Sequence, residues 1–277
     1  MSTQMVITDL TRMYRGMVCV AGYDKDRRGI RLILPPAGIP ERSLESNGQP
    51  VIFPFSVIEL DLLQSIPQPP HTEDTYFDPQ SLHYIRSVAG REKVLSWSLF
   101  ENVATIFEQP IQTDLGFYVK KCQGPRSLGT IIPQDIAQVI YSSGEEGIWD
   151  YRLIFSDQAG EVYRLKINDL TWHYYCDSLR SPDTEPAAIA EKLTQTLRER
   201  KVYLRIGLAR GWKEFPDRCY LQITGIYTFP DYLNGKTFLD FRSRSIQENL
   251  VSYEVDGSRE AELSMVMDND LRDHHLD

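Results

Sequence analysis

The chain has no uninterrupted apolar run of about 18 residues, so nothing in it reads as a membrane-crossing helix. Its first residues, Met1-Ser2-Thr3-Gln4, lack the basic and apolar regions of a signal peptide, and a soluble cytoplasmic protein is the expectation. Only four cysteines occur in 277 residues, Cys19, Cys122, Cys176 and Cys219, and none forms a C-x-x-C pair. That spacing argues against a zinc knuckle and against a secreted disulfide framework. Gly207, Gly211 and Gly225 are not spaced as a Walker or dinucleotide loop, and neither G-x-S-x-G nor H-E-x-x-H occurs. With no nucleophile and base paired by any motif, the expectation is a non-catalytic protein that uses no cofactor and no metal. A strong positive charge is missing too: the net charge is −9. The stretch from Glu254 to Asp277, with eight acidic and two basic residues, carries −6 of that total and leaves the body only mildly acidic. General, tight binding of duplex DNA needs an excess of Lys and Arg and is therefore disfavoured.

What the sequence does have is strand periodicity. A first strand fits Thr130 to Tyr141, closed by Ser142-Ser143-Gly144. Tyr151 to Phe155 and Glu161 to Ile167 follow, joined by Asp157-Gln158-Ala159-Gly160 as a hairpin. A helix is predicted from about Pro186 to Arg200, capped by Asp183 or Thr184, because Ile189, Leu193 and Leu197 recur on one face. Val202, Leu204, Ile206 and Leu208 then share one face of a strand, and Tyr203 and Arg205 the other. Cys219 to Thr224 alternates in the same way, and Gly225 marks a bulge or a close backbone approach. Gly211 to Asp217 is a long hairpin loop with an aromatic tip. Five strands with one helix between the third and fourth is the order of an OB-type barrel.

The first half also begins with strands, at Met5 to Leu10, Met17 to Tyr23 and Gly29 to Leu34, with a further one within Val51 to Leu62. A helix is predicted over Arg91 to Glu108, and Gly116 to Lys121 reads as one more strand. This order fits a barrel less cleanly than that of the second half. The expected fold class is mainly β with a few helices, as two small OB-like β-barrels in tandem. The expected units are residues 1–122 and 123–233 for the barrels and 234–277 for an acidic, disordered tail.

Several groups recur together in this chain: Val18-Cys19-Val20-Ala21-Gly22 with Gly29-Ile30-Arg31, Pro70-His71-Thr72-Glu73-Asp74, Ser127-Leu128-Gly129-Thr130-Ile131, and Leu204 to Leu208 through Ile226-Tyr227-Thr228-Phe229-Pro230. With them the chain resembles the dual OB-containing domain family of prokaryotic proteins over most of residues 5–232. Leu32-Ile33 departs from the Pro-Val expected after Arg31. The resemblance implies a ligand-binding or adaptor module, plausibly linked to prokaryotic conflict systems, and no catalytic residue.

His71, Glu73 and Asp74 are the closest approach to a cation site, but on one loop without a second ligand group they read as turn chemistry. Two functional readings remain. In the first, single-stranded nucleic acid or a nucleotide stacks on Tyr203, Trp212, Tyr220 or Tyr227 while Arg205 and Arg210 meet phosphate, with Arg31 and His71 as further candidate contacts. In the second, barrel edges and loops bind another protein, without nucleic acid.

Overall fold

The computed structural model describes residues 2–35, 38–143 and 148–242. The N-terminal barrel is built from β1 (Ser2–Arg12), β2 (Met17–Asp24), β3 (Gly29–Ile33), β4 (Ser56–Ser65) and β5 (Asp74–Phe77). They run in the order β1-β2-β3-β5-β4, and β4 pairs back onto β1 to close the ring. Only β3 and β5 pair in parallel. This is the OB topology, closed more completely than the sequence suggests. Met5, Ile7, Leu10, Val20, Leu32, Ile58 and Leu60 fill its interior. A bulge between Ile7 and Asp9 shifts the alternation of β1 by one residue. The opposite face of β1, with Val6, Thr8, Asp9 and Thr11, is buried as well, against the second barrel.

The second barrel repeats the order. Its first strand is broken at Ile132-Pro133-Gln134 into β7 (Leu128–Ile131) and β8 (Asp135–Ser143), the preceding strand being β6 (Phe117–Lys120). β9 (Trp149–Ser156) and β10 (Val162–Lys166) form the expected hairpin. β11 (Lys201–Leu208) and β12 (Arg218–Phe229) supply the last two strands. β8 pairs with β9, β7 with β11, and Ile167 makes a parallel bridge to Ile223, which closes the barrel as in the first half. Two helices stand between β10 and β11. One is the predicted amphipathic helix, Pro186–Arg198, with Ile189, Leu193 and Leu197 buried; its N-cap is Glu185, not Asp183 or Thr184, and no side chain caps it. The other, Leu170–Asp177, has no counterpart in the sequence reading.

Three expectations need correction. The helix over Arg91 to Glu108 is broken into α1 (Arg91–Leu95), a 3-10 turn at Ser96–Ser98, and α2 (Val103–Phe107). The break arises because Asn102 caps α2 with a reciprocal bond to Thr105, while Phe100 N–H donates to the Thr130 carbonyl at 2.8 Å. The division at 122/123 does not coincide with the cores: Val103, Ile106, Phe107 and Val119 belong to the second core, and β6 pairs with β12. The expected tail begins with packed residues, since Phe238 and Phe241 lie in the first barrel's core; 243–277, including the acidic stretch, falls outside the described residues. No described helix is long and apolar enough to cross a membrane.

Candidate functional site

The residues singled out in the sequence fall into three places, two of them in the seam between the barrels. Tyr203 and Arg205 do alternate with Val202, Leu204 and Ile206, but their face is covered by the first barrel, so that β11 is buried on both sides. Neither is open to a strand of nucleic acid, a correction to their expected role. Arg205 donates from Nε and Nη2 to Asp9 and from Nη1 to the hydroxyls of Tyr23 at 2.7 Å, Ser98 at 2.8 Å and Thr130 at 3.0 Å. Thr224 donates to the same Asp9 carboxylate at 2.6 Å. Tyr203 donates to Glu92 at 3.1 Å.

Arg31, His71 and Arg210 make the second seam contact. Arg31, 5% exposed, pairs with Asp74, and Arg210 pairs with the other oxygen of the same carboxylate. Glu73 accepts from Ser127 N–H at 2.8 Å and from its hydroxyl at 2.9 Å. His71 Nε2 lies 3.1 Å from the Leu208 carbonyl, as a neutral ring donating to it. The His71-Thr72-Glu73-Asp74 segment is thus a clamp onto the second barrel, each carboxylate engaged by protein donors. Among the described residues no group of three His, Cys, Asp or Glu is arranged for a metal.

Burial, helped by the Arg31 and Arg210 charges, pushes the His71 pKa down to about 3. The unfolded chain therefore binds a proton near pH 6.5 that the folded chain refuses, so stability is full above that pH and is lost as the pH falls toward 3. At about 1.4 kcal/mol per unit, His71 alone is expected to remove about 2 kcal/mol by pH 5. His173, fully buried near Arg12 and likewise shifted well below its ordinary value, adds a loss of the same sign. Burial also raises the Asp169 pKa to about 7, and that carboxyl gains stability as the pH falls, opposing the two rings. The His71 share is therefore read as the difference between wild type and His71→Gln in denaturant melts from pH 7.5 to 5: the variant should lose less, and curves of the same shape would mean that the His71 ring is not buried neutral.

The third place is open to solvent. A cleft of about 190 Å³ lies over β9 and β10 and under the β11–β12 loop. Trp212 and Tyr220 line it and stack on one another, with centroids 5.0 Å apart and an interplanar angle of 23°. Phe117 completes the aromatic wall, and Arg152, Arg164 and Lys166 form the opposite, basic one. The register sets Lys166 directly opposite Arg152 and Arg164 opposite Ile154. Like charges directly across a ladder destabilise it; here Asp150, bonded to Arg152 Nε at 2.8 Å, offsets part of the charge.

Of the candidates, then, the structure brings Trp212 and Tyr220 together and separates them from Tyr203, Arg205, Arg31, His71 and Arg210. Arg152, Arg164 and Lys166 were missed by sequence reasoning. The signal was present in Tyr163-Arg164-Leu165-Lys166, where Tyr163 and Leu165 are buried and Arg164 and Lys166 face outward. A family model described as a dual OB-containing domain matches residues 3–226. No curated protein matches the chain.

Proposed function

The chain belongs to the dual OB-containing domain family, and from that premise we propose that it is a binding module for single-stranded nucleic acid, held on the outer face of the second barrel. One observation carries the reading: stacked aromatics and three basic side chains meet in one cleft over the second and third strands of an OB barrel, beside the loop between the fourth and fifth. OB barrels bind oligonucleotides on that face with those loops. Bases stack on Trp212, which Tyr220 backs from within the barrel, and phosphates meet the basic wall of Arg152, Arg164 and Lys166.

Fluorescence anisotropy with short labelled DNA and RNA strands at two salt concentrations tests this. Saturable binding that weakens with salt is expected. Trp212→Ala should weaken it about tenfold or more, the loss of one stacking platform. Arg164→Glu should weaken it and flatten the salt dependence, whereas Lys213→Ala, outside the cleft, should change little. No saturable binding at micromolar protein would sink the reading and leave the adaptor reading. One feature favours the latter: strand His83–Ser87 ends its sheet, is exposed along its whole length, and carries the exposed Tyr84 and Ile85.

A further inference from the structure

A second cavity, of about 380 Å³, opens in the seam itself. Its walls come from three parts of the chain: Gly22, Tyr23, Gly29, Thr72 and Glu73 of the first barrel, Trp97, Ser98 and Phe100 of the connector between β5 and β6, and Pro125, Arg126, Leu128 and Arg205 of the second; the one carboxylate among them, Glu73, is engaged by Ser127. It shares no lining residue with the cleft at Trp212. We propose that this cavity binds a free nucleoside monophosphate, the base against Trp97 and Phe100 and the phosphate toward Arg27 and Arg126.

The lining points to that chemistry. The Trp97 indole N–H is shielded from solvent and meets no acceptor among the described residues. Tyr23 packs edge-on against Trp97, with centroids 5.9 Å apart, which holds the indole in place as a flat wall. Both aromatic rings of the connector already carry a guanidinium: Arg27 lies 5.7 Å from the Trp97 centroid and Arg126 lies 5.0 Å from that of Phe100. Arg27, beside Trp97 at the edge of the lining, has no ion-pair partner among the described residues; Arg126 donates from Nη1 to the Ile106 carbonyl at 2.7 Å and pairs from Nη2 with Glu108, which is more than half exposed, a pairing that an anion can replace. The Arg205 guanidinium on the floor is committed to Asp9 and three hydroxyls, which leaves the phosphate to the rim. The volume suits a small molecule. Because both barrels and the connector supply its walls, occupancy ties their positions together.

The test is calorimetric titration of the full chain with AMP, CMP, GMP and UMP, and with inorganic phosphate as the control. It is paired with fluorine NMR of protein carrying 5-fluorotryptophan at its four tryptophans. At least one nucleotide should bind below about 1 mM and phosphate alone much more weakly. The Trp97 resonance, assigned with Trp97→Phe, should move while that of Trp212 stays. Phe100→Leu and Arg126→Gln should each weaken binding about tenfold with the melting temperature kept as the check on folding. No binding by any of the four, or phosphate binding as well as they do, would overturn the proposal. So would movement of Trp212 with Trp97 still, an outcome that would place the nucleotide on the second barrel and leave the strand-binding reading standing.

Discussion

Replacing Arg205 with methionine is expected to lower the free energy of unfolding by about 3 to 5 kcal/mol, the range seen when one member of a buried ion pair is removed. Both partners are sealed from solvent, Arg205 and Asp9 each at 1% side-chain exposure. Methionine replaces much of the aliphatic stem, but it leaves the Asp9 carboxylate with only hydroxyl donors, from Thr8 at 2.7 Å and Thr224 at 2.6 Å. It also takes a shared donor from Tyr23, Ser98 and Thr130, which come from the first barrel, the connector and the second barrel. The network thus costs most when half of it is removed. Urea melts of Arg205→Met, Asp9→Asn and the double variant form a cycle. The double variant should lose clearly less than the two single losses together, since it strands no charge. Additive losses would show that the two residues do not act as a pair across the seam.

Arg205 also shows how far the sequence could be read. The alternation in Val202 to Leu208 predicts correctly which side chains share a face, because the period of a strand is fixed by its geometry. It does not say what covers that face. A partner barrel and solvent leave the same pattern when the partner contributes polar groups, as the first barrel does here with the Asp9 carboxylate of β1 and the Tyr23 hydroxyl of β2. The same limit hid Arg152 and Lys166, whose opposition depends on the β9–β10 register, not on spacing along either strand. Helix Leu170–Asp177 escaped for a different reason. It touches both cores, Trp172 in one and Leu170 and Tyr174 in the other, and with hardly a residue exposed it has no polar face to reveal a helical period. The Pro186–Arg198 helix, with one face outward, was plain. Gly225 was legible as well, since its place in an alternating run predicts the bulge found where it lies opposite Arg205.

Gly22→Ala is expected to cost about 3 kcal/mol or more, and to lower the yield of folded protein. Gly22 faces Ile7 in the β1–β2 ladder, just before the bulge. A Cβ built there would stand 2.0 Å from the Val6 carbonyl oxygen and 2.9 Å from Ile7 Cα. Both are backbone atoms, so no rotamer change makes room; the strands must part and give up ladder bonds, or β1 must roll. Rolling is obstructed because β1 is buried on both faces, with Ile7 in the barrel and Asp9 holding Arg205 across the seam. Gly160→Ala is the informative contrast. That glycine has φ of +82° and no atom within 4 Å of an added Cβ, so only the left-handed backbone resists, at about 1 to 2 kcal/mol. Chemical melts of the two variants separate the causes. A Gly22→Ala loss no larger than that of Gly160→Ala would mean that β1 and β2 do not approach this closely, and the placement of Asp9 beneath Arg205 would fall with it.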